Sequence, residues 1–264
     1  MLVSHESPLA LLEESRGYND YDYCLVHLLS EYPEYLKFFL ESKKLGRRIL
    51  LDNSIFELGT AFDPWEFAKW IEKIEPDEYV VPDVFDNSIL TMTNFDMWDV
   101  HFPNIKGNKI GVVQGSTYQE MVNCYEYMAE HADKIAINFA SAYFKLTGLA
   151  TGRNATVWAR IMNGRQKFIS SLRDDGIWYY EKPHHLLGCT LPQEFRSYSN
   201  LNIESIDTSN PVGAGMHNLR YNDYGLDDKL PHKLAEIIEQ DVTEENRSNI
   251  MFNIKRFREI NKIR

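Results

Sequence analysis

Five short apolar runs in this chain each stop at a polar residue or a glycine, and their recurrence limits the folds open to it. Arg48-Ile49-Leu50-Leu51 stops at Asp52-Asn53-Ser54, Tyr79-Val80-Val81-Pro82 at Asp83, and Lys109-Ile110-Gly111-Val112-Val113 at Gln114-Gly115. His184-His185-Leu186-Leu187 stops at Gly188-Cys189-Thr190, and Ile203-Glu204-Ser205-Ile206 at Asp207. A short apolar run bounded in this way reads as a buried strand. One such run followed by Asp is common, so the weight lies in the repetition. In a barrel of parallel strands these ends converge on one mouth, where active sites of that fold sit.

Further strands are expected over residues 23–28 and 134–138. Helical stretches separate them. Residues 33–44 carry Leu36, Phe39 and Leu40 on one face, and residues 88–98, 118–131 and 156–173 follow, the last as one helix or two. Asp63 is placed to cap a helix with Pro64 in its first turn and Trp65, Ala68, Ile71 and Ile74 as its apolar stripe. Residues 193–199 form a short helical piece, and 230–240 and 244–260 are expected as terminal helices. Strands alternating with helices imply βαβ units and a parallel sheet. Seven units in 264 residues favour a closed (β/α)8 barrel, with 217–220 as a weak eighth strand. No repeat, low-complexity stretch or linker divides the chain, so residues 1–264 read as one α/β domain. Neither GxGxxG nor GxxxxGK[ST] occurs, so the nucleotide-binding open sheets lack their fingerprint.

The net charge of −11 argues against a charge-driven nucleic-acid binder. Two local basic clusters, residues 43–48 and 255–264, read either as contact patches or as solvated ends. Cys24, Cys124 and Cys189 are far apart, without CxxC or zinc spacing, which suits a reducing cytoplasm. No apolar run is long enough for a membrane span, and no basic-then-apolar leader opens the chain. His184 and His185 are neighbours on opposite faces of a strand and do not readily share one metal. No metal or cofactor is expected.

Asp52, Asp83 and Asp207 all fall at strand ends. A carboxylate there can attack a sugar C1′, and a second can serve as acid or base with its pKa moved by burial. A single strand-end Asp is as readily a helix cap, but three of them with Gln114 favour a site. Phe56, four residues after Asp52, can stack on a planar base or fill the core. Gly188-Cys189-Thr190 offers backbone groups to a ligand or makes a plain turn. Cys189 has no basic neighbour in sequence to activate its thiol.

At these residues the chain resembles the tRNA-guanine transglycosylase family. The family's Asp-Ser-Gly-Gly-Phe-Gln motif is similar to Asp52-Asn53-Ser54-Ile55-Phe56-Glu57, and its Gly-Ile-Val-Gln-Gly-Gly strand to Gly111-Val112-Val113-Gln114-Gly115-Ser116. Its intermediate acidic residue resembles Asp83, and its Gly-Gly-Leu-Ala/Ser run resembles Leu187-Gly188-Cys189-Thr190. Its nucleophile segment is similar to Ile206-Asp207-Thr208-Ser209-Asn210-Pro211. The order agrees over about residues 48–215.

The resemblance implies that Asp207 attacks C1′ and displaces guanine, and that Asp52 acts as general acid and base. It implies that Asp83, Gln114, Gly115 and the backbone at Gly188 and Cys189 bind the base, and that Phe56 stacks on it. Ser54-Ile55 stands in place of the Gly-Gly pair and Glu57 in place of Gln, and the zinc subdomain that helps shape the tRNA-binding surface is absent. The chain therefore looks like the zinc-free branch that places a 7-deazaguanine, such as 7-cyano-7-deazaguanine, in DNA. That branch occurs in bacteria and phages, so a phage protein would work in the host cytoplasm. Alternatives are tRNA as substrate, a nucleoside or glycoside hydrolase, and a non-catalytic base-binding barrel. A homodimer is compatible with all of these.

Overall fold

The computed structural model describes residues 1–151, 155–198, 200–229 and 233–263. The strands are β1 (Leu2–Ser4), β2 (Asp22–Leu25), β3 (Ile49–Asp52), β4 (Glu78–Val80), β5 (Asn108–Val113), β6 (Lys134–Asn138), β7 (His184–Leu187) and β8 (Ile203–Asp207). They run in the order β1-β8-β7-β6-β5-β4-β3-β2, every pairing parallel. The expected β/α barrel is the observed architecture.

The eighth strand, however, is β1 and not residues 217–220. Its three residues pair with β8, Leu2 opposite Ser205 and Ser4 opposite Asp207. A run that short has no alternation to read, and its partner lies at the other end of the sequence. Leu219 instead donates its N–H to the Ala214 carbonyl at 2.9 Å, turning the chain after the helix Asn210–Met216. β1 and β2 share no ladder. The seam is bridged by Asp20, whose N–H reaches the Val3 carbonyl at 2.9 Å and whose Oδ2 accepts from Val3 N–H at 2.8 Å. Tyr23 N–H adds a bond to Ser4 Oγ at 3.2 Å.

Local corrections follow from packing. The strand expected over 23–28 ends at Leu25, and Val26–Glu31 is helical. The helix Pro33–Lys44 buries Tyr35, Phe38 and Phe39, leaving Leu36 and Leu40 half-buried. Asp63 Oδ1 caps the helix Pro64–Ile74 by accepting from Trp65 and Glu66 N–H, both at 3.0 Å. The stripe of that helix is Phe67, Ala68, Ile71 and Ile74. Trp65 sits in the first turn, 56 % exposed, with its ring against Phe102. Residues 156–173 fold as the single helix Val157–Asp174. Of the expected helix 230–240, Leu234–Ile237 is helical and residues 230–232 lie outside the described residues; of the short piece expected over 193–199, Glu194–Tyr198 is helical and Ser199 lies outside the described residues. The terminal helix Glu244–Asn261 packs on Asn210–Met216, where Gly215 lets the Ile250 backbone approach closely.

The N-terminal end of the barrel is closed by charge. Glu78 Oε1 takes Arg48 at 2.8 Å and Lys134 at 2.5 Å, and Glu204 takes the same two cations at 2.6 and 3.0 Å. Arg47 pairs with Asp22 at 2.8 Å and Arg258 with Asp20 at 3.0 Å. Arg47 and Arg48 of the first basic cluster and Arg258 of the second are thus engaged by the protein's own carboxylates. The first precedes β3, so it lies at the end of the barrel away from the strand C-termini. No helix among the described residues is long and apolar enough to cross a membrane.

Candidate active site

The C-terminal strand ends surround a cavity of about 740 Å³, its open mouth included. Asp52, Phe56, Asp83, Gln114, Gly188, Cys189 and Asp207 all line it. Gly115 does not. It packs behind the wall, where a Cβ would press on the backbone of Met121. Glu6, Tyr23, Asn138, Phe139, Lys229 and Lys233 line it as well.

Asp207 ends β8 with its two oxygens in different settings. Oδ1 accepts from His185 Nε2 at 3.0 Å and from Gly188 N–H at 3.1 Å. A carboxylate only accepts, so Nε2 is the donor to Asp207, and Nδ1 is hydrogen-bonded to Ser205 Oγ at 2.8 Å. No hydrogen bond from the described residues reaches Oδ2, which leaves that oxygen for a ligand in the cavity.

Asp52 ends β3. Burial, with the Asp207 charge adding to it, raises its carboxyl to about 7, against the pull of the Ser54 N–H bonded to Oδ2 at 2.6 Å. Such a group can give and take a proton near neutrality. Asp83, also raised by burial, accepts from Asn53 Nδ2 at 2.8 Å and Gln114 Nε2 at 2.6 Å. Gln114 Oε1 accepts from Asp86 N–H at 3.0 Å, so the amide is oriented and largely committed. What the pair presents to the cavity is the remaining acceptor capacity of Asp83. Glu6, beyond β1, is held well above the usual carboxylate range by burial and by the carboxylates of Asp207, Glu57 and Asp52.

The Gly188 turn is fixed from behind. Arg165 and Glu194, both without solvent exposure, form a two-bond ion pair at 2.6 and 3.0 Å. Arg165 also donates to the carbonyls of Ile137 (3.2 Å), Leu187 (3.0 Å) and Gly188 (2.9 Å), tying β6 to β7. Gly188 has φ +62°, and a Cβ there would run into the Phe139 ring. Its N–H donates to Asp207 Oδ1 and its carbonyl accepts from Arg165, so the turn also positions Asp207. The Cys189 carbonyl accepts from Lys229 Nζ at 3.2 Å, and burial pushes its thiol up to about 12, so Cys189 is no thiolate nucleophile.

Phe56 packs on Phe139, ring centroids 4.9 Å apart. Lys229 Nζ lies 4.3 Å from the Phe139 centroid and 5.1 Å from that of Trp158, with Lys233 5.3 Å from that of Phe56. Lys233 donates to the Phe56 and Glu57 carbonyls at 3.1 and 2.9 Å. These lysines are the cations of an otherwise acidic wall. In the 141–154 stretch, Ala142–Thr147 is helical and 152–154 lie outside the described residues.

The residues that sequence reading missed have identifiable causes. Glu6 follows a strand too short to detect. His185 carries no strand-end signal, and its bond to Asp207 depends on the β7–β8 register. Asn138 ends β6, so the strand-end pattern could have found it. Among the described residues no group of three or more His, Cys, Asp or Glu is arranged to hold a metal. No protein-family model matches this chain, and no curated protein sequence matches it.

Proposed function

We propose that the protein is a base-exchange transglycosylase that replaces guanine in DNA with a 7-deazaguanine such as 7-cyano-7-deazaguanine. The observation that carries this reading is the pairing of two unlike carboxyls in one cavity. Asp207 has one oxygen tied to His185 and Gly188 and the other open, as a nucleophile needs. Asp52 is poised near 7, as a shuttling acid and base needs.

In the first half-reaction Asp207 Oδ2 bonds to C1′, the C1′–N9 bond breaks, and Asp52 protonates the departing guanine. In the second, the Asp52 carboxylate takes the N9 proton of the incoming base. N9 then bonds to C1′, and the C1′–O bond to Asp207 breaks. Asp83 accepts from the N–H groups of the guanine edge, and Phe56 offers a ring face. The target nucleotide must leave its stack to enter, and Lys229 and Lys233 are the cations available to its phosphates.

Two features support the family resemblance. Ser54, where that family carries glycine, has φ +59°, and Gly188 has φ +62°, both conformations that favour glycine.

The test is exchange of labelled guanine from duplex DNA, single-stranded DNA or tRNA in the presence of 7-cyano-7-deazaguanine. Guanine release with incorporation into DNA is expected, and both should vanish in Asp207→Asn. Incorporation into tRNA alone would transfer the activity to the other polymer. Release without incorporation would mean that water resolves the intermediate, making the protein a hydrolase. No release at all would leave a binding protein.

A further inference from the structure

Asn138 brings a neutral amide into the cavity, with no hydrogen-bond partner among the described residues for either Oδ1 or Nδ2. It is 7 % exposed. An unpaired buried polar group costs on the order of 1–3 kcal/mol, so a ligand that pairs with it is a natural reason for its presence. We infer that Asn138 reads position 7 of the incoming base and favours a substituent that both accepts and donates, a primary carboxamide over a nitrile or a bare C–H. This inference rests on the base-exchange reading.

The barrel order gives the orientation. With the seam counted as closed, β8 and β4 stand opposite each other across the mouth. A base held at its N–H edge by Asp83, just beyond β4, therefore points its N9 toward Asp207 on β8. Its two flanks then face β3 on one side and β6 on the other. Asp52 on β3 must protonate guanine and deprotonate its 7-deaza analogue. The nitrogens that both bases share toward the sugar are N9 and N3, whereas N7 exists only in guanine. Asp52 thus takes the N3/N9 flank, and Asn138 on β6 takes the flank bearing position 7. There Nδ2 can donate to guanine N7, to a nitrile or to a carboxamide oxygen, and Oδ1 finds a donor only in a substituent that has one.

Calorimetric titration of the protein with free 7-deazaguanine and its 7-cyano, 7-carboxamide and 7-aminomethyl derivatives tests this. The wild type should bind the carboxamide most tightly. Asn138→Leu should reduce its preference for the carboxamide over 7-deazaguanine by about tenfold, the value of one well-made hydrogen bond. Asn138→Asp, which trades the donor for a charge, should move the preference to the 7-aminomethyl base. An equal loss for substituted and unsubstituted bases, or an unchanged preference in both variants, would overturn the inference while leaving exchange intact. Failure of the wild type to bind any of the bases would overturn the base-exchange reading and this inference with it.

Discussion

Asp52→Asn should make the protein more stable at alkaline pH and not at acid pH. The folded protein raises this carboxyl from its usual 3.8 to about 7, chiefly by burial. The unfolded chain therefore releases the proton first. Stability attributable to Asp52 is intact below 3.8, is lost as pH rises, and is fully lost above about 7. At about 1.4 kcal/mol for each pH unit, the span from 3.8 to about 7 amounts to about 4 kcal/mol. Asparagine avoids that loss, and its Oδ1 can still accept from Ser54 N–H. Urea unfolding of both proteins at about pH 4 and about pH 8.5 measures the difference. The variant should gain about 4 kcal/mol over wild type at the higher pH and little at the lower, while losing exchange activity. Equal stabilities at both values would show an ordinary carboxyl, and Asp52 could not then serve as the acid–base group near neutrality.

Three other substitutions probe the supports of Asp207. His185→Phe keeps the ring and removes the bond to Oδ1, so the first-half-reaction rate in rapid quench should fall by about tenfold or more, with partial recovery in His185→Gln; a wild-type rate in the Phe variant would remove His185 from the site. Arg165→Met strands Glu194 as a buried charge, and the urea midpoint should drop by the equivalent of about 3–5 kcal/mol; an unmoved midpoint would mean that the pair does not hold the β6–β7 end. Gly188→Ala meets both the positive φ and the Phe139 ring. It should cost on the order of 1–3 kcal/mol in thermal unfolding and lower base affinity, whereas a neutral outcome would show that the turn relaxes freely.

The strand-end pattern made the barrel readable because the periodicity of buried runs is local information. The helix Tyr118–His131 and strand Lys134–Asn138 were found at their observed bounds for the same reason. β1 was not found, because three residues acquire strand character only through pairing with β8. The carboxylates that end strands were visible as candidates, but their inequality was not. Asp52 differs from Asp207 through its partners: Asp52 accepts from Ser54 N–H nearby in sequence, whereas the His185 bonded to Asp207 comes from a neighbouring strand. Lys229 and Lys233 reach the cavity from a segment that carries no pattern of its own. The Arg165–Glu194 pair joins the helix Val157–Asp174 to the short helical piece Glu194–Tyr198, a relation that no sequence spacing encodes.

The most direct test of the central claim is mass spectrometry of protein acid-quenched after mixing with guanine-containing DNA and no incoming base. A covalent nucleic-acid adduct on the peptide carrying Asp207, with free guanine in matching amount, is the predicted result. Exchange that proceeds at the wild-type rate in Asp207→Asn, or an adduct on any other residue, would contradict it.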